Sequence, residues 1–135
     1  MEITRQADYA LRAMLFLARL GPDQHAATAA IANDRKIPPS FLAKIISQLS
    51  IAGLIHTSRG AHGGVSIARA PGEISLLEVV EAIDGPVSLN ECVVNARACD
   101  FEGDCPLNLI WCDTQKVLVQ KLQSTSFEDV VSLKQ

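Results

Sequence analysis

The run SFLAKIISQLSIAG, residues 40–53, sets most of what this chain can fold into. Leu42, Ile45, Ile46 and Leu49 recur at helical spacing, while Ser40, Ala43, Lys44 and Ser47 fall on the opposite side. Such a helix must lay one face on a core and leave the other to solvent or a partner. Gly53 is a natural terminator. Just before it, IPPS (37–40) breaks the chain, because a residue preceding proline avoids helix and Pro39 suits a first helical turn. Upstream of that break, TAAIANDRK (28–36) reads as a short Ala-rich helix. Downstream, LIHTS (54–58) and VSIA (65–68) read as two short strands joined by the glycine-rich loop RGAHGG (59–64).

Helix, tight turn, helix and hairpin is the order of a winged helix-turn-helix. The expected fold is therefore mainly α with one small β-hairpin. The flanking segments agree. From Arg5 to Leu20 the apolar residues keep helical spacing, with Thr4 as N-cap, Gly21-Pro22 as stop, and Arg5, Arg12 and Arg19 on one solvated flank. SLLEVVEAIDGP (75–86) opens with Ser75 and has Glu78 three residues on, a capping-box pattern. Pro106 starts a long helix whose Leu107, Ile110, Trp111, Thr114, Val117, Leu118, Lys121 and Leu122 form a seam near the heptad period. Ser126 caps a last short helix. The expected division is a DNA-binding domain over 1–85, a cysteine-bearing loop over 86–106, and a dimerisation helix with a C-terminal helix over 107–135.

Net charge is −3, which alone argues against a nucleic-acid partner, but the charges are unevenly placed. Residues 1–69 carry a balance of +4 and residues 70–135 a balance of −7. That asymmetry marks a basic face on the helix–hairpin half. In a winged helix the second helix of the pair lies in the major groove, so Ser40, Phe41, Ala43 and Lys44 are placed to meet base edges and phosphates. Arg59 at the hairpin tip is placed for the minor groove, and the neighbouring glycines allow close backbone approach. Aromatic residues are scarce, so no platform for stacking single-stranded bases is legible. Glu2 follows Met1 at once, and the most apolar early run is broken by Arg12 and Arg19. Neither a signal peptide nor a membrane span is expected, and the expected location is the cytoplasm.

All four cysteines lie in NECVVNARACDFEGDCPLNLIWCD (90–113), spaced Cys92-x6-Cys99-x5-Cys105-x6-Cys112. Zinc sites usually use close CxxC pairs, and none occurs. A reducing compartment disfavours disulfides. Widely spaced thiols on a loop suit an iron–sulfur cluster, whose ligands need not be sequence neighbours. The plainer reading is that free cysteines are small buried hydrophobes. It suits Cys112, inside the long helix beside Trp111, better than the loop cysteines among Asp100, Glu102 and Asp104. There is no nucleotide-binding loop and no nucleophile–base pair, so an enzyme is not expected. An electron carrier would not need the basic helix and hairpin.

Together, DYALRAMLFLA, FLAKIISQLSIAGLI, SRGAHGGVSIA, ISLLEVVEAIDGP and the triplet Cys92, Cys99 and Cys105 resemble the Rrf-two family of dimeric winged-helix regulators, along nearly the whole chain. The resemblance extends to its iron–sulfur members of the IscR-like and nitric-oxide-sensing NsrR-like kinds. It implies a homodimeric repressor binding double-stranded operator DNA, with an iron–sulfur cluster, [4Fe–4S] ahead of [2Fe–2S], on Cys92, Cys99 and Cys105. IscR-like members place a histidine ligand where this chain has Asn108. NsrR-like members use an aspartate of the first helix, given by the other subunit, and Asp8 matches it. Cys112 is the rival fourth ligand, two helical turns or roughly 10 Å beyond Cys105 and an awkward reach for one cluster; a small molecule or an open iron is the remaining alternative. For DNA, the resemblance carries over Ser40, Phe41 and Lys44 on the reading helix, and Arg59, Gly60, His62 and Gly63 on the wing. Ala43 replaces the glutamate of IscR-like members, so a different operator preference is implied. A cluster-free thiol or metabolite sensor on the same fold remains the alternative.

Overall fold

The computed structural model describes residues 2–61, 63–95 and 105–133. Its elements are α1 (Arg5–Leu20), α2 (Thr28–Arg35), α3 (Pro39–Ile51), β1 (Ile55–Ser58), β2 (Gly64–Ile67), a 3₁₀ turn (Pro71–Glu73), α4 (Leu76–Asp84), α5 (Glu91–Val94), α6 (Pro106–Ser124) and α7 (Phe127–Val131). The mainly helical fold with one hairpin is the one expected.

α1 is the central helix. Thr4 caps it by accepting the Ala7 N–H at 3.1 Å. The same hydroxyl donates to Asp84 at 2.5 Å, tying the start of α1 to the end of α4. Ala7, Ala10 and Ala13 are fully buried, and their small side chains let α2, α3, α4 and α7 all pack closely on one helix. Met14 and Leu17 fill the middle of the shared core with Ile31, Leu42, Ile45, Leu49, Ile74 and Val79.

The α2–α3 turn forms as the proline break predicts. Lys36 takes a left-handed conformation (φ 56°), Ile37 is buried, and Pro39 occupies the first turn of α3. At the other end of α3, Gly53 (φ 76°) lets the Leu54 N–H return to the Leu49 carbonyl at 3.0 Å. β1 and β2 pair antiparallel, with Ile55 opposite Ile67 and Ser58 opposite Gly64. The hairpin starts one residue later than the β pattern suggests, because Leu54 is spent on the helix-closing turn.

β2 has a further neighbour. Ala26 and Val65 exchange two backbone hydrogen bonds of 2.9 and 2.8 Å, so the segment between α1 and α2 fastens the wing to the body. Gly64 stands where that fastening leaves no room. A Cβ there would lie 2.6 Å from the Ala26 carbonyl oxygen, at a φ of 152°. Gly64→Ala is therefore expected to destabilise the protein by about 1–3 kcal/mol in urea unfolding. A change within error would mean that the wing is not held through Ala26.

The start of α4 differs from its pattern. Ser75 accepts the Glu78 N–H at 3.2 Å, but the Glu78 carboxylate turns to Arg69 at 2.8 Å instead of back to Ser75. Ser75 is engaged elsewhere, in an antiparallel bridge with Ser126. The reciprocal capping box occurs at α7, where Ser126 and Asp129 exchange bonds of 2.9 and 3.1 Å. The Ser126 backbone N–H bonded to the Asp129 carboxylate, and after it the nearby Ser126 hydroxyl, hold that carboxyl below its ordinary value.

α6 has no buried residue. Asn108, Cys112, Gln115, Leu118, Val119 and Leu122 form its half-buried stripe. Leu107, Ile110, Trp111 and Val117 stand out to solvent, Val117 at 68%. The heptad seam read from the sequence thus divides. Leu118 and Leu122 lie on the half-buried stripe, and the other apolar members are uncovered.

Candidate nucleic-acid interface and cysteine site

On α3 the division of faces matches the pattern. Leu42, Ile45, Ile46 and Leu49 are buried, and Ser40, Phe41, Ala43, Lys44 and Ser47 are exposed. Lys44 makes no ion pair among the described residues and is free to meet a phosphate or a guanine edge. Phe41 is 41% exposed yet not loose, since its ring meets Tyr9 of α1 edge-on at 5.9 Å. Lys44→Ala is expected to weaken binding to the operator about tenfold and to lower the salt slope by about one. Equal affinity and slope, measured by a salt titration of DNA binding, would remove Lys44 from the interface.

At the wing, Arg59 and Gly60 are exposed. Gly60 (φ 102°) accepts the Gly63 N–H at 3.0 Å, closing a tight turn. A Cβ on Gly63 would collide with the Ser58 carbonyl, so hairpin closure itself demands glycine there. His62 lies outside the described residues.

Asp8 sits near the start of α1, beside an open cleft of about 670 Å³ lined also by Glu2, Thr4, Arg5 and Tyr9. Arg12, one turn on, takes the Asp8 carboxylate at 2.7 Å. The same guanidinium reaches the Arg35 carbonyl at 3.5 Å and lies over the Tyr9 ring, 5.4 Å from its centroid. Arg12 thereby joins Asp8 to the end of α2 and, through Tyr9, to Phe41 of α3. The Asp8–Arg12 pair is legible from i,i+4 spacing; the further reach of Arg12 depends on how α1, α2 and α3 pack and is not.

Cys92 lies on α5, Cys105 is the N-cap of α6, and Cys112 is two turns into α6; all three are free and half-buried. Cys99 lies outside the described residues. α5 packs on α6, which brings the Cys92 segment against the first turns of the helix that Cys105 begins. The Asn108 amide donates to the Cys92 carbonyl at 3.0 Å, and the Cys112 thiol donates to Asn108 Oδ1 at 3.7 Å. Gln115 reaches the preceding loop, accepting the Leu89 N–H at 2.8 Å and donating to the Val87 carbonyl at 3.1 Å. Among the described residues, no group of three potential ligands is close enough to hold a metal ion, and Asp8 does not join the cysteines within one chain. The donor chemistry nevertheless fits an iron–sulfur cluster, because soft thiols on two packed elements are accessible rather than sealed in the core.

An exposed reading helix, a preceding helix and tight turn, and a glycine-tipped wing define a winged helix-turn-helix transcription regulator. Comparison with known proteins makes the assignment specific. Residues 3–133 match the Rrf2 family model, described as an iron-dependent transcriptional regulator. The regulator NsrR of Geobacillus kaustophilus is 30% identical over 132 residues, covering 97% of this chain and 90% of that protein. The structure of CymR, titled the global cysteine regulator of B. subtilis, superposes with a TM-score of 0.86 at 25% identity, covering 100% of this chain and 99% of the other. IscR of T. potens shares the fold, with a TM-score of 0.78 at 20% identity, over 100% and 93% of the two chains. This chain belongs to the Rrf2 family of transcription regulators. It is a DNA-binding regulator and not an enzyme. No described helix is long and apolar enough to cross a membrane.

Proposed function

We propose that this chain is a homodimeric repressor whose hold on double-stranded operator DNA depends on an iron–sulfur cluster. Cys92, Cys99 and Cys105 are its thiolate ligands, and Asp8 is the fourth ligand, given across the dimer. The reading is carried by the placement of two free, half-buried thiols, Cys92 and Cys105, on packed elements between the DNA-reading half and α6. The dimer is supported by the uncovered row Leu107, Ile110, Trp111 and Val117 on α6, an apolar face of the kind that a second α6 would cover. On this reading residues 1–85 read DNA, residues 86–106 carry the thiolates, and residues 107–135 join the subunits and set the half-site spacing.

When bound, the cluster supplies iron that reacts with nitric oxide or oxygen. The chain supplies the transmission. Asp8 either ligates or pairs with Arg12, and its carboxylate cannot serve both fully. Arg12 also holds the Arg35 carbonyl at the α2–α3 turn and covers Tyr9, which supports Phe41 at the head of α3. A change at Asp8 is thus felt at the residues that enter the major groove. A carboxylate is a harder ligand for iron than thiolate, which suits the ligand that is meant to let go.

The test is anaerobic purification with iron and sulfide counted, visible spectra recorded, and nitric oxide added stepwise while DNA binding is followed. The expected result is a coloured protein that releases operator as its spectrum bleaches, and a Cys105→Ser variant with iron at background. A colourless, iron-free protein that still binds its operator would instead select the second reading. That reading is a cluster-free thiol or metabolite sensor, which the free state of all three described thiols and the likeness to a cysteine regulator support.

A further inference from the structure

Asn108, Cys112 and Gln115 lie at i, i+4 and i+7 on α6, one stripe of one face. Among the described residues, the side-chain hydrogen bonds of this stripe go to the segment that leads into Cys92, or within the stripe itself. The Gln115 carboxamide accepts from the Leu89 N–H (2.8 Å) and donates to the Val87 carbonyl (3.1 Å). It pairs with residues two apart as a neighbouring strand's peptide group would. A carboxamide can do both at once, because its oxygen accepts from one partner while its NH2 donates to the other. The Asn108 carboxamide donates to the Cys92 carbonyl (3.0 Å) and accepts from the Cys112 thiol (3.7 Å). Flipping the Asn108 amide would set oxygen against the Cys92 carbonyl, so the two partners fix its orientation.

We infer that Asn108 and Gln115 are positioning residues that clamp the Cys92 segment to α6, and that the Cys112 thiol donates within the clamp rather than serving as a ligand. The inference rests on the cluster reading for what Cys92 is held ready to do. α5 is a four-residue helix, too short to hold its own shape, so the direction of the Cys92 side chain must be set from outside it. The three carboxamide–backbone bonds supply that restraint at two places, Val87–Leu89 before the helix and Cys92 within it. A metal-bound Cys112 could not also donate to Asn108, and the thiol lies two helical turns beyond Cys105.

The experiment uses the full chain in cluster-free form, then loaded. In the cluster-free protein, alkylation of each thiol is followed by peptide mass spectrometry, and exchange of the Leu89 amide is followed by hydrogen–deuterium exchange. Asn108→Ala is expected to raise the Cys92 labelling rate about fivefold relative to Cys105, the effect of one lost hydrogen bond. Gln115→Ala is expected to speed Leu89 exchange by a similar factor. Gln115→Glu keeps the acceptor for Leu89 but sets a carboxylate against the Val87 carbonyl, so it should lose cysteine placement while retaining much of the Leu89 protection. A merely structural role would lower the unfolding midpoint without changing the ratio of Cys92 to Cys105 labelling. In the loaded protein, both alanine variants should lose iron to a chelator several-fold faster, and Cys112→Ser, which still donates, should not. Unchanged labelling ratios and Leu89 exchange would overturn the clamp whatever the cluster does. Changed ratios in a protein that takes up no iron or sulfide would leave the clamp standing and remove the cluster reading.

Discussion

Phe127→Ala is expected to lower stability by about 3–5 kcal/mol, the range for deleting a buried aromatic ring. Phe127 is 1% exposed and shares its core with Met14, Leu17, Ile74 and Val79. It belongs to α7, a helix of five residues that cannot persist alone. What holds α7 is the ring, the Ser126–Asp129 box, and the bridge in which the Leu76 N–H bonds to the Thr125 carbonyl and the Phe127 N–H to the Ile74 carbonyl, each at 3.0 Å. Removing the ring leaves a cavity against α1 and frees the far end of α6, so operator binding should fall together with stability. Leu133→Ala is the comparison: that side chain is 67% exposed, and its loss should stay within about 0.5 kcal/mol. The two are measured by urea unfolding, where the free energy falls linearly with denaturant. A Phe127→Ala loss below about 1 kcal/mol would mean that α7 is not part of this core.

The contrast between α3 and α7 shows where the sequence is readable. The buried set of α3 follows from spacing alone, because 13 residues are enough to display a full period. α7 is too short to display one, and nothing local says that the chain returns after α6 to complete the core of α1. The Ser75–Ser126 bridge has the same origin. Ser75 looks like an ordinary capping-box serine, yet a partner 51 positions away by sequence number engages it and Glu78 turns to Arg69 instead. The candidate sites divide similarly. The exposed row on α3 and the glycine turn of the wing are legible because helix period and hairpin closure are local rules. Asn108 and Gln115 are not, since a carboxamide on a helix reads as an ordinary polar residue until the backbone it serves is seen beside it.

Asp8→Ala separates a ligand from a surface ion pair. As a surface residue Asp8 contributes little: its carboxylate and the Arg12 guanidinium are both nearly half exposed, and such i,i+4 pairs are worth about 0.3–0.5 kcal/mol. The midpoint of unfolding of the cluster-free protein should therefore barely move. If Asp8 of one subunit ligates the cluster of the other, the loaded dimer should respond very differently. Iron loss to a chelator should become at least about tenfold faster, in the range typical for groups that support a metal centre. The visible spectrum should shift as a carboxylate oxygen is replaced, and operator affinity should respond much less to nitric oxide. Asp8→Asn keeps the size of the side chain and lowers its strength as a ligand, so it should fall between wild type and Asp8→Ala in iron loss. Arg12→Ala removes the competing ion pair instead, and should leave the spectrum of the loaded protein in place. An Asp8→Ala protein with the wild-type spectrum, iron lifetime and nitric-oxide response would place the fourth ligand elsewhere. α1 would then lose its proposed tie to the cysteine site of the other subunit, and Arg12, Tyr9 and Phe41 would stand as packing alone.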